Sequence, residues 1–194
     1  MRGVTYIEIL AMNQLLYLLL VFTFLIPSHA SSGKDMIESK YFGIIEIDWE
    51  EEIYIEKRID LNGRNNECKL MIEPDIEITN SLADQIDLLE VLDEKSRTLF
   101  GKYSDDESDI ISSFIEFYLA DPAPWLESEL NLADGLTREV LLSNLKLVQL
   151  HVYAESEGKT LFVLDYSLNP DFTDELLVVV YDSKGNFQKI TSES

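Results

Sequence analysis

The chain has 194 residues, 46% of them hydrophobic, and its 37 acidic against 15 basic side chains leave a formal net charge of −22 at pH 7. That length allows one domain with a real core, while the charge argues against nucleic acid and anionic lipid surfaces as direct ligands, because basic side chains supply most of the affinity for both. The lone cysteine, Cys68, excludes an intrachain disulfide and a cysteine-based metal cluster.

In residues 1–35 Arg2 and Lys34 cancel Glu8 and Asp35, so the whole acidic excess lies in residues 36–194. Leu15 to Ile26 is an apolar run, followed by Pro27 and the small-residue triplet Ser28-His29-Ala30. The run is short for a bilayer core of about 30 Å and suits the h-region of a secretory signal cleaved after Ala30, but the stretch before it lacks a basic n-region. Residues 1–35 are therefore read either as an over-extended start, with synthesis from Met36 and a cytoplasmic protein, or as a signal peptide on an exported one. The first reading is preferred, and a membrane anchor comes third.

From Tyr41 the pattern has period two. "YFGIIEIDW" and "EIYIEKRIDL" read as strands, with Ile53, Ile55, Ile59 and Leu61 on one face. Asn62-Gly63 is a type I′ turn signal, and "NECKLMIE" is the returning arm, ended by Pro74. Cys68, Leu70 and Ile72 share a face of that arm, which makes Cys68 a packing residue. From Ser81 the period becomes helical through Leu82, Ile86, Leu89 and Leu92, with caps offered by Thr79 to Ser81. A second helix opens at Ser104 with a Ser104–Glu107 capping box and a buried stripe of Ile110, Ile111, Phe114, Ile115 and Tyr118. Asp121 to Pro124 stops it, and shorter helices follow near Trp125–Leu132 and Thr137–Ser143, with Gly135 between them.

Strands return in "LKLVQLHVYA", "KTLFVLDYSL" and "ELLVVVYD", the first two joined through Gly158, and the last turned by Ser183 to Asn186 into "FQKIT". Leu176 to Tyr181 shows no alternation, which predicts burial on both faces and a central place in the sheet. Residues 36–194 thus read as one acidic α+β domain, a largely antiparallel sheet with three to four helices packed on one face.

Catalytic patterns are thinly supplied. The eight glycines are scattered without a P-loop or dinucleotide fingerprint, and G-x-S-x-G, H-E-x-x-H and paired C-x-x-C are missing. "SDDESDI" at Ser104 to Ile110 lacks the glycine and distal glutamate of an EF-hand and reads as acids in a helix's first turn. "WEEEIY" at Trp49 to Tyr54 reads as a solvated strand entry. No catalytic residue, cofactor or metal is assigned. Three residues are kept as functional candidates: His151, mid-strand among apolar neighbours; Asp165, inside "LFVLDYSL", where a buried carboxylate needs partners or a raised pKa; and the adjoining Tyr166. For Asp165 a hydrogen-bonded structural role is the preferred reading.

Six segments carry a resemblance: "YFGIIEID", "IDLNG", "LDEKSR", "FIEFYL", "LDYSL" and the closing "TDELLVVVYDSKGNFQKITSES". Together they resemble a small bacterial family catalogued only as a domain of unknown function, with F-G-x-I near its start and T-D-x-L-L-V-V and I-T-x-E-S at its end. The resemblance covers residues 36–194, implies a bacterial, usually intracellular protein and a start at Met36, and brings no activity to carry over.

Three functions follow. The preferred one is a non-enzymatic acidic binding module, of the kind an immunity-type protein represents, that neutralises a basic partner protein. The alternatives are a carboxylate-based hydrolase using Asp165 with other acids and an exported envelope protein. The oligomeric state is not readable from the residue pattern.

Overall fold

The computed structural model describes residues 35–48, 50–74, 76, 81–103, 110–130, 135–155 and 159–194. Outside them lie residues 1–34, with the apolar run and its cleavage site, as well as Trp49, the Thr79 cap, the Ser104–Glu107 capping box with the "SDDESDI" acids before Ile110, and the Gly158 turn.

A short ribbon comes first. β1 (Asp35–Ser39) pairs antiparallel with β2 (Gly43–Ile47), with Tyr41 and Phe42 in the turn between them. The period-two reading found β2 and missed β1. The ribbon is a two-stranded sheet of its own, and it buries Tyr41, Phe42, Ile45 and Ile47 in the main core.

β3 (Ile53–Leu61) and β4 (Arg64–Ile72) form the expected hairpin, in the register Leu61↔Arg64. Asn62 and Gly63 take φ of 54° and 80°, the double positive that a type I′ turn requires, and Asp60 Oδ1 accepts the Gly63 N–H at 2.9 Å. Replacing Gly63 with alanine costs about 1 kcal/mol from backbone strain alone, because an added Cβ would meet nothing within 4 Å. A urea titration of Gly63→Ala checks this. Cys68 is fully buried, and burial pushes its thiol up to about 12, so it packs rather than reacts.

The described helices all fall between β4 and β5. α1 (Ser81–Ile86) and α2 (Leu89–Tyr103) are one helical pattern broken at Asp87 and Leu88. The break has a use: Asp87 accepts Ser39 Oγ at 2.8 Å and the Lys40 N–H at 2.9 and 3.1 Å, docking the ribbon turn. α3 (Ile110–Ala120) buries Ile111, Phe114, Ile115 and Tyr118, as its period predicts. α4 (Pro124–Glu129) starts on proline at its first turn, and α5 (Arg138–Asn144) is capped by the Thr137 hydroxyl, which accepts the Val140 N–H at 3.3 Å.

β5 (Lys146–Glu155), β6 (Lys159–Ser167), β7 (Leu176–Asp182) and β8 (Phe187–Glu193) complete a six-stranded sheet ordered β3-β4-β5-β6-β7-β8. Only β4 and β5 run parallel; every other pair is antiparallel. Side-chain alternation sorts the two faces. Phe162, Leu164 and Tyr166 of β6 and Leu177, Val179 and Tyr181 of β7 join α1 to α5 in the main core, while Leu161, Val178 and Val180 form a second cluster with Tyr153, Val163 and Leu176. The molecule is an α+β fold, its sheet mostly antiparallel, its described helices on one face. β7 is buried on both faces as expected, but it stands one strand in from the edge, and the half-exposed β8 is the edge itself. Two-sided burial reports what covers each face and not how many strands lie beyond.

Candidate functional site

The three candidate residues do not converge. On β5 and β6 the pairs are His151↔Val163 and Gln149↔Asp165, so His151 and Asp165 share the second face of the sheet, one row apart. No hydrogen bond joins them. His151 Nε2 lies 3.2 Å from Glu73 Oε1 without hydrogen-bond alignment, and its ring is tilted against Tyr153 at 5.4 Å.

Asp165 is 8% exposed, and among the described residues no donor reaches its carboxyl. A hydrogen-bonded structural aspartate is thus not what the structure holds. Burial first, and the charge of Glu193 second, raise its pKa to about 7. Ser167, two residues further along β6, is fully buried and its hydroxyl has no partner among the described residues. Tyr166 points the other way, into the helix-covered core, where its ring meets Phe100 edge-on at 5.0 Å.

There Tyr166 belongs to a polar network that the residue pattern did not single out. Asp93 of α2 is fully buried and accepts Arg64 Nη2 at 2.6 Å, Arg97 Nε at 3.1 Å and the Tyr166 hydroxyl at 3.1 Å. Arg97 also donates to the Leu145 carbonyl at 3.0 Å, and Asn66 Oδ1 accepts the Leu147 N–H at 3.1 Å. Ser96 shares a hydrogen bond with the Tyr181 hydroxyl at 2.9 Å. These bonds tie β4, α2, β6, β7 and the start of β5 together around the parallel seam. Asp93 and Arg97 one helical turn apart were the visible signal, but that spacing also describes an ordinary exposed pair.

A third group lies at the surface. Phe117 of α3 stands edge-on to Tyr118 at 5.1 Å; Tyr118 meets Trp125 of α4 at 6.4 Å; and Trp125 stacks on Phe172 at 5.6 Å and 12°. The four rings form a row whose ends are open, since Phe117 is 56% and Phe172 55% exposed. The β6–β7 loop that carries Phe172 is pinned. Asn169 donates to Glu129 at 3.2 Å, and Thr173 Oγ1 lies 3.1 Å from the Tyr118 hydroxyl. Residues 110–130 and 169–176 hold four and three carboxylates and no lysine or arginine. Two of these, Glu175 and Asp174, add to the burial that raises the Tyr118 hydroxyl's pKa, which places their charge beside the row.

No family model, curated protein or solved structure matches the chain. Among the described residues no group of three or more His, Cys, Asp or Glu could hold a metal ion, and no helix is long and apolar enough to cross a membrane. Chemically, the described surface offers dense negative charge and an aromatic row with exposed ends; the buried offerings are the Asp165 carboxyl and the Ser167 hydroxyl, each without a partner among the described residues, and the Asp93 ionic network, in which Arg64 Nε is left without one.

Proposed function

We propose that this chain is an acidic, non-enzymatic protein-binding module that engages a basic partner protein, as an immunity-type protein does in neutralising a basic toxin. The observation that carries it is the charge of −22, all of it beyond residue 35, on a chain whose described carboxylates far outnumber the cations set against them. Complementary fields speed encounter with a cationic partner and repel anionic ones.

The test is association with a polyarginine peptide as a surrogate for the partner, followed as ionic strength rises. Between about 50 and about 500 mM salt the affinity falls at least tenfold, because screening shortens the reach of exposed charges to a few ångströms. Affinity that does not respond to salt, or no association at all, overturns the proposal. The hydrolase alternative, Asp165 acting with other acids, has in its favour a carboxyl raised to about 7, the acidity of a general acid, but among the described residues no second group is in hydrogen-bond contact with it.

A further inference from the structure

We propose that the exposed rings Phe117 and Phe172, with Trp125 between them and Tyr118 buried beneath, are the docking surface of this module, and that its occupant is an arginine-rich segment of the basic partner. The inference rests on the binding reading above and gives it a place and a side-chain preference.

Exposure is the first ground. Both end rings are more than half open, which is uncommon for phenylalanine, and they stand on a buried base formed by Phe114 and Tyr118 at 5.2 Å. The row is also preorganised. The parallel stack of Trp125 on Phe172 and the two hydrogen bonds that hold the 169–173 loop fix the outer face of Phe172 before any ligand arrives, so little side-chain freedom is lost on binding.

Charge selects the occupant. The segments that build the row supply seven carboxylates and no lysine or arginine, so a cationic segment meets aromatic faces and counter-ions together. Arg138 of α5, which reaches α3, is paired there with Glu116. Arginine fits better than lysine, because its planar, weakly hydrated guanidinium stacks on a ring while its remaining donors reach carboxylates. A second copy of the chain brings the same negative field and is repelled, as is an anionic bilayer.

The experiment uses the full chain and two labelled peptides of equal length and charge, one arginine-rich and one lysine-rich, with binding followed by fluorescence anisotropy at fixed ionic strength. The wild-type chain prefers the arginine peptide. Phe117→Ala/Phe172→Ala lowers that affinity about tenfold and abolishes the preference, with an unchanged salt slope. Phe172→Leu, which keeps apolar bulk without a ring, also removes the preference, so a folding defect in the double variant cannot imitate the result. Equal affinity of wild type and variants overturns the docking surface while leaving the binding module standing, whereas failure of the wild-type chain to bind either peptide removes the module itself. Wild-type dimerisation, or binding to phosphatidylglycerol vesicles, that is lost in the variants assigns the row to another occupant and overturns the proposal.

Discussion

Replacing Asp93 with alanine destabilises the domain by about 3–5 kcal/mol, the loss expected when one member of a buried ion network is removed and its partners stay behind. The carboxyl is fully buried and takes donors from Arg64, Arg97 and Tyr166, so its removal leaves a guanidinium and a phenol facing apolar side chains. Arg64 is 37% exposed and can turn to water, but Arg97 is 17% exposed and Tyr166 fully buried, and neither has that escape. Asp93→Asn costs less, since one oxygen still accepts. Chemical unfolding of the two variants beside the wild type measures both losses. A midpoint for Asp93→Ala within error of the wild type means that the network contributes nothing.

Asp165→Asn has the opposite sign. Burial raises the folded carboxyl to about 7 from an ordinary value of 3.8, so between those values the folded state keeps a proton that the unfolded chain has released. Stability contributed at this position therefore falls as pH rises from about 4 to about 7 and stays at the lower level above. The groups around it do not offset this: Gln149 and Val178 stand opposite in β5 and β7, and Glu193 of β8 adds like charge. A neutral amide of the same shape escapes the penalty, and the variant gains up to about 4 kcal/mol at pH 8, with the gain gone near pH 3. Melting temperatures of the two proteins across that range decide it; curves that run parallel at every pH place the proton elsewhere.

These two carboxylates also show where residue patterns stop informing. Strand and helix periods depend on neighbours in sequence, so the β3–β4 hairpin, the α3 stripe and the meander from β5 to β8 could be read before any coordinates. β1 could not, because a five-residue strand that shows one face to solvent carries Met36 and Glu38 outward and leaves little alternation to see. The break at Asp87 was hidden for a different reason: the groups it binds, Ser39 and Lys40, are more than forty residues away.

The candidate site divides the same way. Asp165 stood out as a charge in an apolar strand, whereas Asp93 lies in "LDEKSR" and is no different from its neighbours until the fold encloses it. Tyr166 was placed beside Asp165 by sequence and is separated from it by the thickness of the sheet. The aromatic row joins α3, α4 and the β6–β7 loop, three segments that meet only in space.

The parallel pairing of β4 with β5 shapes how the chain must come together. β3 with β4 closes through a two-residue turn, and β5 to β8 closes strand by strand, so each half of the sheet can assemble from contacts near in sequence. Joining them requires Ile72 to find Val152 across the intervening helices, the largest loop closure between paired strands of the described sheet. Folding speed is accordingly set at that junction and not by the strength of either half, which makes Asp93, Arg97 and Asn66, the residues that span it, determinants of rate as well as of stability.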